Sequence, residues 1–113
     1  MMKFHECNLN IRYDLPKEIL AKLERVYSKM PGWLGFGTKD NGYDGIPHWF
    51  SFKEDEKYVL ASIEPGGLQF EANMDKDEWL SWKTDFKKIA TEVLGFNVGE
   101  IEEGEVGDEI EWL

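Results

Sequence analysis

Tyr58-Val59-Leu60-Ala61-Ser62-Ile63-Glu64-Pro65-Gly66-Gly67-Leu68-Gln69-Phe70-Glu71-Ala72-Asn73-Met74 decides the fold. Two short runs flank a Pro-Gly-Gly break, and so short a connection joins strands that lie antiparallel. In the second run Leu68, Phe70, Ala72 and Met74 alternate with Gln69, Glu71 and Asn73, the period of a strand with one wet face. In the first run Tyr58, Leu60 and Ser62 on one side and Val59, Ala61 and Ile63 on the other are all apolar or small. Such two-sided apolarity predicts the central, better-buried strand of a meander. Upstream, Ile46, His48, Phe50 and Phe52 alternate before the charged stretch 53–57 and supply a third strand.

Downstream, Asp75 and Glu78 have the spacing of a capping box. Trp79, Trp82, Phe86, Ile89, Ala90 and Val93 then form an apolar stripe that stops at Gly95, which predicts a long amphipathic helix. Near the start, Cys7, Leu9, Ile11 and Tyr13 alternate with polar neighbours as a first strand. Asp14-Leu15-Pro16 opens a helix carrying Ile19, Leu20, Leu23, Val26, Tyr27 and Met30, closed by Pro31-Gly32. Residues 32–47 hold five glycines and no sustained period, and read as a long ordered loop. Phe96 and Val98 begin a last alternating run that becomes acidic. The sum is β-α-β-β-β-α-β, an α+β domain with an antiparallel sheet of four to five strands and two helices mainly on one side.

The chain of 113 residues suits one domain, 1–113, with residues 99–113 an acidic C-terminal segment expected to be part strand and part flexible. Hydrophobic residues make up 42% and aromatics 14%, which separates it from acidic disordered proteins and predicts a packed core. The single cysteine, Cys7, cannot form an internal disulfide. Lys3, His5, Glu6 and Asn8 interrupt any signal-like opening, so the expected setting is reducing and cytoplasmic. No apolar run approaches the length of a membrane span.

Charge is distributed unevenly. Residues 1–88 carry 15 acids and 13 bases, whereas 89–113 carry 8 acids and no base, within a net charge of −10. A one-signed field attracts basic partners and repels polyanions, and the cations are scattered, so direct nucleic-acid binding is not expected. A like-charged terminus is most often a solvated end. Here Ile101, Val106, Ile110, Trp112 and Leu113 are interleaved with the acids, the composition of a surface that docks on a basic protein. The candidate partner-binding residues are therefore Glu100, Glu102, Glu103, Glu105, Asp108 and Glu109 as steering charges, with Trp112 as anchor.

Motifs for chemistry are sparse. His5 and Cys7 share a strand face, but two ligands are too few for a metal, and His48 would have to be brought to them by the fold. Asp40-Asn41-Gly42-Tyr43-Asp44-Gly45 has glycine at its third position and Ser51 at its twelfth, which fits a turn and not a calcium loop. Gly32-Trp33-Leu34-Gly35-Phe36-Gly37 follows a helix and lacks a phosphate-anchoring lysine. No Ser-His-Asp order or Cys-His pair is visible, so no catalysis and no metal or cofactor is expected. Trp33, Phe36, Tyr43 and Trp49 on the glycine-rich loop either line a pocket for a small ligand or carbohydrate, or tuck into the core.

The Gly45-Ile46-Pro47-His48-Trp49-Phe50 strand entry and the acidic Gly95–Leu113 end, in a small aromatic-rich α+β chain, resemble the acidic immunity proteins that bacteria encode beside toxin domains in contact-dependent inhibition and related polymorphic toxin systems. The resemblance implies a non-catalytic inhibitor of a cognate toxin, commonly a nuclease whose basic cleft the inhibitor's acids block. The alternatives are a ligand-binding module or small enzyme using 33–50, and an acidic subunit of an oligomeric assembly.

Overall fold

The computed structural model describes all 113 residues. Its strands are β1 (Lys3–Leu9), β2 (Trp33–Phe36), β3 (Pro47–Trp49), β4 (Tyr58–Glu64) and β5 (Gly67–Met74). Its helices are α1 (Lys17–Leu20), α2 (Leu23–Lys29) and α3 (Lys76–Leu94). The sheet runs β1-β5-β4-β3-β2 with every neighbouring pair antiparallel. The domain is α+β, and no helix is long and apolar enough to cross a membrane.

The β4–β5 hairpin sits at the centre, as its sequence demands. Register pairs Val59 with Ala72, Ala61 with Phe70 and Cys7 with Phe70, which aligns the apolar positions of β1, β4 and β5 on one face. Gly67, at the hairpin turn, has φ +140°, and a Cβ there would stand 2.1 Å from the Leu9 carbonyl oxygen, so only glycine lets the turn approach β1.

On the apolar face lie α2 and α3. Trp49, fully buried, is the centre of an aromatic cluster with Tyr27 of α2, Phe70 of β5 and Trp82 and Phe86 of α3, ring centroids 5.1–6.4 Å apart. Its indole N–H donates to the Tyr27 carbonyl at 3.0 Å, so this buried polar atom is satisfied. Burying each such ring contributes about 2–3 kcal/mol.

Four local expectations are revised. The first helix is two short pieces, because the chain turns at Ala21-Lys22 between them. Trp33–Phe36, inside the expected loop, pairs with β3 and forms the fifth strand at the sheet edge, bulged between Trp33 and Gly35. Asp75 is the N-cap of α3, but its carboxylate makes no capping bond and instead meets the Met1 ammonium at 2.5 Å. The run at 96–98 is reduced to one antiparallel bridge between Phe96 and Trp112. Val98 N–H is taken by the Thr91 hydroxyl and Asn97 N–H by the Glu111 carbonyl, which leaves no ladder to extend.

Candidate functional site

The acidic C-terminal segment is folded onto the domain. Asn10 fastens its start: its backbone N–H donates to the Gly99 carbonyl, its carboxamide oxygen accepts from Gly99 N–H at 2.9 Å, and its Nδ2 donates to the Asn97 carbonyl. Glu100 is 7% exposed and is paired with Lys87 at 2.6 Å and Lys83 at 3.1 Å. Glu105 meets Lys87 at 2.9 Å and accepts from Glu100 N–H at 2.8 Å. Asp108 is reached by Arg12, chiefly through its carbonyl at 3.0 Å. At the end, Leu113 N–H donates to the Gly95 carbonyl, and the Trp112 ring packs edge-on against Phe96 with 53% of the residue exposed.

The expected steering charges therefore divide into two sets. Glu100 is buried between Lys83 and Lys87, and Glu105 and Asp108, though exposed, are held by Lys87 and Arg12, so these three hold the segment in place. Glu102, Glu103 and Glu109 are exposed and take part in no ion pair within 4 Å. Trp112, later in the same segment, is half-exposed against Phe96.

Glu102 does not stand alone. With Glu6 of β1 and Glu64 of β4 it lines a cleft of about 330 Å³, to which Asn8 and Gln69 contribute and no basic side chain does. The cleft opens beside the sheet face that carries no helix, where Glu6, Glu71, Leu60 and His48 form one row across four strands, covered by loop residues at the His48 end. Sequence reading of the C-terminal charge missed Glu6 and Glu64, because both lie in the nearly neutral body. The signal available was the alternation of β1 and β5, which puts Glu6 and Glu71 on the wet face with no basic residue between them.

The loop aromatics are not brought to one pocket. Trp49 is in the core, and Trp33 is half-buried against Tyr27 and Phe36. Tyr43 lies across the sheet, its ring 4.7 Å from His48 and its hydroxyl donating to Glu54. That bond to Glu54, with some burial, pushes the Tyr43 hydroxyl up to about 12. Phe36 alone of the four lines an apolar cleft of about 390 Å³, with Leu20, Leu23, Ile46, Pro47 and Ile63.

Burial works against charging Cys7 and His48. Burial, with Glu100 adding to it, pushes the Cys7 thiol up to about 12, which keeps it from being a thiolate nucleophile at neutral pH. His48 is enclosed by Tyr43 and Phe52 and is lowered by burial, and its Nδ1–H donates to the Ile46 carbonyl. His5 and Cys7 lie on the helix-covered face of the sheet and His48 on the other, so these three are not one ligand set. Compared with known proteins, the chain matches no family model, no curated protein and no solved structure.

Proposed function

We propose that the protein is a non-catalytic inhibitor that binds a basic protein partner, in the manner of the immunity proteins its sequence resembles, with a cognate bacterial toxin as that partner. The observation that carries this reading is the anchoring of the acidic C-terminal segment. Glu100 and Glu105 fasten it to α3, and so Glu102, Glu103 and Glu109 are presented on an anchored segment, with Glu102 in one cleft with Glu6 and Glu64. Fixed charges lose less conformational freedom on docking than charges on a free tail. A field of one sign raises the rate of encounter with a basic surface, and a half-exposed tryptophan in the same segment supplies apolar area for an anchor.

The steering set in this reading is Glu102, Glu103, Glu109, Glu6 and Glu64, with Trp112 as anchor. Glu100 and Glu105 serve it by position. The test is association with the polypeptide encoded by the adjacent reading frame, measured by stopped flow at 20 mM and 500 mM salt. The triple variant Glu102→Gln/Glu103→Gln/Glu109→Gln is expected to associate about tenfold more slowly at low salt and to differ little at high salt. Unchanged low-salt rates would remove the C-terminal segment from the mechanism.

A further inference from the structure

Phe50 has φ +74° and is the only residue other than glycine with positive φ. Its two chain neighbours close a three-residue turn, Ser51 N–H donating to the Trp49 carbonyl at 3.0 Å, a γ-turn of the strained hand. Backbone strain of this kind persists where the surrounding structure holds a side chain in a particular place. Here the place is the wall of a cleft of about 500 Å³ on the side of the molecule formed by Pro31, Phe50 and α3.

The floor of the cleft is apolar, made of Pro31, Phe50 and Trp82, with the Trp82 indole fixed by its hydrogen bond to the Pro31 carbonyl at 3.2 Å. Along its rim α3 presents Asp77, Glu78 and Asp85. The first and last are eight residues apart and so fall on one helix face. Glu78 is paired with Lys57, whereas Asp77 and Asp85 are exposed and in no ion pair. Lys57 itself reports what the cleft accepts. Its ammonium stands 4.3 Å from the Phe50 ring centroid while it bonds Glu78 at 2.7 Å, the two contacts an alkylammonium or guanidinium makes in an aromatic and acidic site.

We propose that this cleft is a docking site for an arginine or lysine side chain of a basic protein, and that Lys57 occupies part of it in the free molecule. An incoming guanidinium stacks on Phe50, takes the Glu78 carboxylate that Lys57 now holds, and displaces the Lys57 ammonium toward solvent, while Asp77 and Asp85, about 12 Å apart along α3, add negative charge at the two ends of the rim. Arginine is favoured over lysine, since its plane stacks on the ring while its edge bonds a carboxylate with two N–H groups. The cationic partner is shared with the proposed function, but none of the residues are, so the two surfaces succeed or fail separately.

The probe is a hexa-arginine peptide titrated into the full chain, followed by amide and indole chemical shifts in ¹⁵N-labelled protein and by fluorescence anisotropy. The largest shifts are expected at Phe50, Ser81, Asp85 and the Trp82 indole. Asp77→Asn/Asp85→Asn should weaken binding about fivefold more than Asp40→Asn/Asp55→Asn, which removes the same charge elsewhere. Lys57→Gln should tighten binding about threefold more than Lys53→Gln, because only Lys57 competes for the ring. Shifts confined to Glu6, Glu64 and the C-terminal segment, or equal effects within either pair of variants, would overturn the proposal.

Discussion

Lys87 donates to Glu100 at 2.6 Å, and this bond joins the second half of α3 to the C-terminal segment. Lys83, one turn earlier, reaches the same carboxylate oxygen at 3.1 Å. The side chains involved are 9–16% exposed, so loss of one partner strands charge in a place poorly served by water. Glu100→Gln is therefore expected to cost about 2–3 kcal/mol in urea unfolding, less than a fully buried pair because Lys87 retains Glu105. Glu103→Gln, on an exposed and unpaired side chain, should stay within ~0.5 kcal/mol of the parent. Equal midpoints for the two variants would show that the Glu100 contacts do not hold the segment.

The same contacts predict a pH dependence. Burial pushes the Glu105 carboxyl up, but the Lys87 ammonium and the Glu100 N–H more than offset this and hold it below its ordinary 4.5. A depressed carboxyl adds stability above its unfolded value and loses it as pH falls through its folded value. For Lys87 burial acts downward, yet Glu100 and Glu105 leave it above its ordinary 10.5, so its share is complete below that value and is lost in stronger alkali. The melting temperature of Glu105→Gln should lie below the parent's at pH 7, and the gap should close as pH falls well under 4.5. A gap of the same size at pH 3 would assign the loss to something other than the carboxylate charge.

Gly32 is required twice over. Its φ is +86°, and a Cβ there would lie 2.5 Å from the Phe50 ring, a contact relieved only if the ring leaves its place beside the Lys57 ammonium. Gly32→Ala is expected to destabilise by about 2–3 kcal/mol, combining the left-handed backbone cost with the clash. In Gly32→Ala/Phe50→Ala the clash disappears and only the backbone part should persist, near ~1 kcal/mol relative to Phe50→Ala. A double variant no better than additive would remove the ring from the account.

What the sequence made legible follows from where periodicity is strong. Leu68 to Met74 and Trp79 to Val93 repeat cleanly, and the hairpin and α3 lie where those patterns put them. Trp33 to Phe36 carries no such pattern. A four-residue edge strand broken by Gly35 and a bulge satisfies its pairing with one neighbour only and imposes little on its side chains. Charge was legible as composition but not as direction. Counting could not tell Glu100, drawn under α3 by two lysines, from Glu102, which lines a cleft with Glu6 and Glu64, 96 and 38 positions earlier in the chain. That separation depends on Asn10 receiving Gly99, a contact between segments 89 residues apart.

Glu6 and Glu71 are direct register partners on the sheet face that carries no helix, where like charges oppose one another across the strands. The nearest relief is a long bond from the Gln69 amide to Glu6 at 3.4 Å. Folding alone gains nothing from this pairing, so Glu6→Gln should stabilise the domain, by roughly 0.5 kcal/mol. If the acidic cleft steers a basic partner, the same change should slow association at low salt about twofold. Opposite movement of stability and association is what distinguishes a surface kept for a partner from one kept for the fold. Urea midpoints and stopped-flow rates on the one variant give both quantities. An association rate equal to the parent's at 20 mM salt would take Glu6, and with it the β1 side of the cleft, out of the binding surface.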